Sequence, residues 1–376
     1  MLKRWTIVVG ALLVGCVGCG EDNTTGTTTP QVVPTPTLSV AQELAATGAG
    51  AFLNISPTGP PAQKTDWDEY SYDVSRQDAI CLFGTQYQVN VHHGTSNKVM
   101  LYLEGGGACW EYLTCASGAA KPTANGAQGD GILNFTRADN PFADWNIVYA
   151  PYCDGSVFSG NNIIDYTSGT STLHTFHHGI QNLSAAVALL KQQFPNPEEI
   201  LVAGSSAGGY GTFQGYGVTR IAFPTAKITV FDDSGPGLQN PDDAAGVAAR
   251  NANWKYLQYV PPSCTDCDVQ LSYLSDWAMD RDPNLRTALF SYLQDMVIRG
   301  FLMLDGPPYE ALLRTTTDDL HARHPDRFKR FLKTGRGHTI LELPNFYTLS
   351  VSGVIMRDWT ADFLTNGPVW QDLVDQ

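Results

Sequence analysis

Short apolar runs that break into glycine-rich turns recur along the chain. Residues 98–103 (Lys-Val-Met-Leu-Tyr-Leu) enter Glu104-Gly105-Gly106-Gly107. Residues 145–150 (Trp-Asn-Ile-Val-Tyr-Ala) enter Pro151-Tyr152-Cys153-Asp154-Gly155-Ser156, and residues 200–203 (Ile-Leu-Val-Ala) enter Gly204-Ser205-Ser206-Ala207-Gly208-Gly209. Residues 227–231 run into Asp232-Asp233-Ser234-Gly235, and residues 287–293 into Gln294-Asp295-Met296. Runs this short, bounded by turn residues, read as buried strands. A further strand and turn are predicted around Cys81-Leu-Phe-Gly-Thr. Residues 178–194 instead place Leu183, Val187 and Leu190 on one helical face, and residues 210–221 read as a helix. Two more helices are predicted over residues 309–332, broken at Pro325, and a closing helix over 352–364. Strands alternating with helices predict an α/β fold with a mostly parallel central sheet and helices on both faces. The less regular residues 236–286, which carry Trp254, Tyr256, Tyr259 and Trp277, are read as a cap-like insertion over that sheet.

The N-terminal pattern differs. Lys3 and Arg4 precede an apolar stretch that is too short to span a bilayer and suits a signal peptide over residues 1–15. The stretch ends in Leu13-Val14-Gly15-Cys16, which resembles a bacterial lipobox whose cysteine, Cys16, would carry a lipid; Cys19 fits that motif less well. Residues 16–43 are rich in Thr and Pro and are expected to be an extended tether, leaving 44–376 as the catalytic domain. The expected product is exported, held to a bacterial membrane through its lipid or secreted. Over the 376 residues the net charge is −14, and no Lys/Arg run appears, so nucleic acid is not an expected partner.

The candidate chemistry centres on Gly204-x-Ser206-x-Gly208 between an apolar strand and a helix. In that context the pattern is a nucleophile elbow. A serine at a cramped turn projects its hydroxyl, and the following helix turns its N–H groups toward developing negative charge. A base must follow in sequence, and His321, His324 and His338 remain. His321 and His324 lie among charged residues and read as surface positions, whereas His338 lies in the glycine-flanked loop Gly335-Arg-Gly337-His338. The acid that orients it is Asp295, with Asp232 and Asp233 as rivals that could instead bind backbone N–H groups in their turn. Ala207 and the glycine triplet offer N–H groups for an oxyanion; the triplet parallels the His-Gly-Gly-Gly loops of lipases, with Glu104 in the histidine's place. A single Cys264-x-x-Cys267 disfavours zinc, and no phosphate-binding loop or dinucleotide fingerprint appears, so no cofactor or metal is expected.

Three segments together, Leu-Glu-Gly-Gly-Gly-Ala-Cys-Trp (103–110), Pro-Tyr-Cys-Asp-Gly-Ser (151–156) and Gly-Ser-Ser-Ala-Gly-Gly (204–209), resemble the pectin acetylesterase/Notum family. The resemblance implies an α/β-hydrolase-like fold and a serine carboxylesterase that cleaves acyl esters, acetyl first among them. The substrate would be an acylated polysaccharide or another ester. Ser206 would be the nucleophile, His338 the base and Asp295 its orienting acid, with Gly106, Gly107 and Ala207 forming the oxyanion hole. The family also implies disulfides Cys81–Cys153 and Cys109–Cys115, which leaves Cys264 and Cys267 to pair with each other. Runner-up readings are another exported serine hydrolase (a long-chain deacylase, polyester depolymerase or peptidase) and a non-catalytic binding lipoprotein.

Overall fold

The apolar runs become the inner strands of one sheet. The computed structural model describes residues 38–127 and 129–376. In chain order the strands are β1 (Ala62–Gln63), β2 (Asp68–Ser71), β3 (Gln88–His92), β4 (Lys98–Leu103), β5 (Asn146–Ala150), β6 (Asn162–Ser168), β7 (Ser171–His177), β8 (Glu199–Ser205), β9 (Ile228–Asp233), β10 (Arg286–Tyr292), β11 (Phe328–Lys333), β12 (Ser350–Val351), β13 (Val354–Ile355) and β14 (Leu373–Val374). The α-helices are α1 (Val40–Ala46), α2 (Tyr112–Ala116), α3 (Gly179–Gln193), α4 (Ala207–Ala222), α5 (Ala244–Trp254), α6 (Tyr273–Arg281), α7 (Met296–Phe301), α8 (Gly306–Arg323) and α9 (Met356–Thr365).

The central sheet runs β1-β2-β3-β5-β4-β8-β9-β10-β11-β14. From β5 to β14 neighbours are parallel, and β1, β2 and β3 extend it antiparallel. Side chains of the inner strands alternate between two cores. Leu101, Leu103, Ile200 and Val202 join one together with α3 and α4, whereas Met100, Tyr102, Leu201 and Ala203 join another with Trp359 and Phe363 of α9. Burial on both faces explains why these strands read as unbroken apolar runs. The chain is therefore α/β with helices on both faces of a mostly parallel sheet. Because β4, β8, β9, β10 and β11 are consecutive and parallel, their carboxyl ends lie side by side along one edge. That edge is where open α/β sheets place ligands.

Several boundaries differ from the sequence-based expectation. The first helix starts at Val40 rather than beyond 44, because Ser39 and Gln42 form a capping box. The signal segment 1–15, Cys16 and most of the expected tether fall outside the described residues. The second of the two helices expected over 309–332 is strand β11: α8 ends at Arg323, with His324 as its C-cap ahead of Pro325, and Phe331 then pairs with Phe290 in the sheet. Tertiary pairing overrides local preference there. The region around Cys81 is mostly a turn, closed by Gly84 N–H to Cys81 C=O at 2.9 Å. The hairpin β6–β7 was not foreseen, as only a few of its residues are buried. The closing helix α9 begins at Met356, after the small β12–β13 hairpin. Disulfides join Cys81 to Cys153, Cys109 to Cys115 and Cys264 to Cys267. No helix among the described residues is long and apolar enough to cross a membrane.

The elbow depends on close backbone approach. A Cβ on Gly208 would lie 1.9 Å from the Leu103 carbonyl oxygen, and one on Gly204 2.3 Å from that of Gly208. Gly208→Ala is therefore expected to lower stability by about 3 kcal/mol or more, because backbone cannot give way as a side chain can. Gly300→Ala on α7, where a Cβ meets nothing within 4 Å, should leave stability unchanged or raise it by up to about 1 kcal/mol. Chemical denaturation of the two variants against the parent checks this contrast, and equal losses would refute it.

Candidate active site

Ser206 joins β8 to α4 with φ 59° and ψ −117°. A non-glycine residue in this region is strained, and the surroundings must hold it there. Its N–H donates to the Asp233 carbonyl oxygen at 2.7 Å. Its hydroxyl makes no hydrogen bond to any described residue, and the residue is 8% exposed. The side chain opens onto a pocket lined by Trp110, Leu238, Phe301 and Arg250 among others. The loop after β4 packs against it, since a Cβ on Gly105 would lie 3.0 Å from Ser206 Cβ.

That loop and the start of α4 carry unused donors. The N–H groups of Gly106, Gly107 and Ala207 donate to no described residue. Gly107 has φ +78°, and a Cβ there would strike the Ala119 carbonyl oxygen at 1.9 Å. The loop is braced from outside: Lys121 N–H donates to the Gly106 carbonyl at 2.8 Å, and Ala108 N–H to that of Ala119 at 3.2 Å. Glu104 accepts from Lys121 Nζ at 2.6 Å and from Tyr152 N–H at 2.9 Å. It holds the loop through an ion pair and a backbone donor.

Asp295 follows β10 and is fully buried. Its Oδ1 caps α7, accepting from Val297 and Ile298 N–H at 2.9 and 3.0 Å. Its Oδ2 lies 2.7 Å from His338 Nδ1. One carboxylate thus fixes its own rotamer and the imidazole, leaving Nε2 without a hydrogen bond to any described residue. Gly337 is required because a Cβ there would fall 2.6 Å from the Tyr292 ring.

Asp232 and Asp233 have other work. Asp232 accepts from Gly235 N–H at 2.7 Å, within its own turn. Asp233 reaches further: it accepts from Ser205 Oγ–H at 2.5 Å and from the N–H groups of Ile340 and Leu341 at 3.0 and 2.9 Å. Ser234 Oγ accepts from Thr339 N–H at 3.0 Å. The turn after β9 therefore binds the serine elbow on one side and the histidine loop on the other. Burial pushes both carboxyls above the ordinary carboxylate value, for Asp233 against the pull of its donors. The chain continues from Ser205 Oγ to Tyr102 OH at 2.6 Å, which faces Glu342. Glu342, also facing Tyr149 OH at 3.3 Å, is pushed up to about 7 by burial and by the charge of Glu104.

Of the other two candidate histidines, His324 departs from the surface position expected from its charged stretch, whereas His321 is half-exposed. His324 is buried, with Nε2 2.8 Å from Asp276, and His321 Nδ1 donates to the Phe328 carbonyl at 2.7 Å. Both hold α8 to its surroundings. The sequence pattern did not reveal the Asp233 hub, because the partners in the histidine loop are backbone groups more than a hundred residues away. The Asp-Asp-Ser-Gly turn at a strand end was the available signal.

The model of a known family, described as Pectinacetylesterase, matches residues 69–260. The chain belongs to the pectinacetylesterase family. The match takes in the glycine loop, the elbow and Asp233, and ends before Asp295 and His338. Among curated proteins, the chain is 27% identical over 243 residues to Pectin acetylesterase 7 of Arabidopsis thaliana, covering 59% of this chain and 60% of that one. It is 27% identical over 217 residues to Pectin acetylesterase 11 of the same plant, covering 52% and 54%. It is 34% identical over 127 residues to the palmitoleoyl-protein carboxylesterase NOTUM of Schmidtea mediterranea, covering 31% and 23%. The chain thus spans no more than about three-fifths of the length of these relatives.

Two outcomes follow for this site. Asp233→Asn turns an amide NH2 or a weaker acceptor toward buried N–H donors, at a cost of about 3 kcal/mol, and should lower the melting temperature by about 5 °C or more. An unchanged melting temperature would remove Asp233 from its bracing role. Glu342, with a folded value near 7 against an ordinary 4.5, stabilises the fold fully below that ordinary value, and the contribution is lost as pH rises toward 7. The stability of the parent relative to Glu342→Gln should fall between pH 4.5 and 7.5 by on the order of 1–2 kcal/mol. Parallel melting curves of the two proteins across that range would contradict this.

Proposed function

We propose that the protein is a serine carboxylesterase that removes acyl groups, acetyl in particular, from an ester through an acyl-enzyme, in the manner its pectin acetylesterase relatives' names describe. The observation that carries the reading is the strained, unbonded Ser206 hydroxyl beside unused N–H donors, tied through Asp233 and Ser234 to a loop whose imidazole is held by buried Asp295. In this mechanism His338 Nε2 takes the Ser206 proton as Oγ attacks the ester carbonyl. The carbonyl oxygen, now negative, is held by the N–H groups of Gly106, Gly107 and Ala207. His338 returns the proton to the leaving alcohol. Water then gives a proton to His338 and attacks the acyl-enzyme, releasing the acid and restoring Ser206. Asp295 keeps Nδ1 protonated and stabilises the imidazolium.

A longer acyl group is the second reading, favoured by the apolar pocket wall of Trp110, Leu238, Ile298, Phe301 and Leu302 beside Ser206. Relative kcat/KM on 4-nitrophenyl esters from acetate to decanoate separates the two. The three disulfides support export to an oxidising compartment. Lipid attachment at Cys16 and a polysaccharide substrate belong to the same proposal.

Ser206→Ala should reduce kcat on 4-nitrophenyl acetate by roughly 10⁴-fold or more. Asp295→Asn keeps an acceptor for the α7 N–H groups but presents an amide to His338, so it should lose roughly 10³–10⁴-fold in kcat while remaining folded by circular dichroism. Substantial turnover by either folded variant would sink the assignment.

A further inference from the structure

The pocket beside Ser206 is apolar except at Arg250 and its neighbours. Arg250, on α5, is only 9% exposed and lines the pocket. Its guanidinium lies 5.0 Å from the Trp110 ring centroid, within cation–π range. Its one charged neighbour within ion-pair range among the described residues is Asp243, at 3.6 Å, too far for a hydrogen bond. Asp243 is itself engaged as the cap of α5, accepting from Gly246 N–H at 3.1 Å. The Arg250 guanidinium donates no hydrogen bond to any described residue. Two further lining residues carry unmet groups: Asn251 Oδ1 and the Tyr256 hydroxyl are buried without partners. The hydroxyl faces the Gln239 and Asn251 side chains without closing a bond to either.

Buried polar groups left unpaired are costly, and Asn251 Oδ1 and the Tyr256 hydroxyl are two such groups, beside a guanidinium whose ion pair with Asp243 closes no hydrogen bond. Packing alone gives no reason to keep one in a pocket that hydrocarbon would fill. A ligand that brings an anion removes the cost. We propose that Arg250 is a specificity residue that binds a carboxylate carried by the ester substrate, on its acyl or its alcohol part. The inference rests on the esterase reading above. A carboxylate matches the planar fork of one guanidinium with two parallel bonds. One guanidinium partly offset by Asp243 suits a single negative charge better than a phosphate dianion. Asn251 Oδ1 accepts only from a donor, which fits a hydroxyl beside that carboxylate, and the Trp110 face and apolar wall seat the carbon skeleton. In a chain of net charge −14, a local cation is also what lets an anionic substrate approach.

The test measures kcat/KM on two matched pairs with the full chain. The acyl-side pair is mono-4-nitrophenyl glutarate against 4-nitrophenyl valerate. The alcohol-side pair is acetylated methyl galacturonoside against acetylated methyl galactoside. The carboxylate member of at least one pair should be preferred by roughly tenfold or more, and the pair that shows it identifies the side. Arg250→Met should reduce that ratio to near unity, and Arg250→Lys should keep part of it, since a point charge remains without the fork. If Arg250→Met does not fold, the same ratio in the lysine variant decides. A parent that hydrolyses the neutral esters with no carboxylate preference overturns this inference alone, as does a variant that keeps the full preference. Hydrolysis of none of the four overturns the esterase reading and this inference with it.

Discussion

The carboxylate of Asp233, closed off from solvent at the end of β9, is the point on which the site's geometry depends. It takes Ser205 from the elbow and two N–H groups from the loop after His338, while its own carbonyl oxygen receives Ser206 N–H. The proposed nucleophile and its proposed base come from chain segments more than 130 residues apart, and neither strand alone fixes their separation. A rigid central turn does. Flexible loops hold reacting groups poorly, and small misplacements are costly to catalysis. The same logic explains why Ser206 can be kept in an unfavourable backbone region: its N–H is held by the Asp233 carbonyl of the neighbouring strand.

The fold was legible because its inner strands are buried on both faces. Their apolar runs are uninterrupted, and each ends in a glycine or aspartate turn on the same edge. Strands with weaker burial were harder to read. The β6–β7 hairpin exposes much of its length, and β11 mixes Lys329, Arg330 and Lys333 with its apolar residues. Arg330 is admitted to the sheet only because Asp372, Asp318 and Thr317 take its donors. No local pattern foretells partners that far away.

The site divides along the same line. Ser206, the glycine loop and Ala207 announce themselves through backbone requirements, which leave glycines in the sequence. Asp295 and His338 were placed by order and turn context, and the structure brings them within 2.7 Å. Asp233 was misread as a rival acid or the cap of its own turn, since a carboxylate that serves distant backbone groups looks like any other at a strand end. The chain Glu342–Tyr102–Ser205–Asp233 was invisible for the same reason.

What distinguishes one ester from another must lie away from these elements. The relatives include enzymes named for acetyl and for palmitoleoyl esters. An elbow cannot set acyl length or alcohol, because it touches only the carbonyl carbon and its oxygen. Discrimination needs groups that meet the rest of the substrate, and here these come from Trp110, α5, Tyr256 and α7 around the pocket. Among them only Arg250 brings a charge, and its ion pair with Asp243 at 3.6 Å leaves the guanidinium without a hydrogen bond among the described residues. Apolar contacts separate substrates by modest factors per methylene, whereas polar and charged groups lining a pocket strongly disfavour a ligand that leaves them unmet. The choice of substrate in this protein therefore turns more on what Arg250 meets than on how much hydrocarbon the pocket holds.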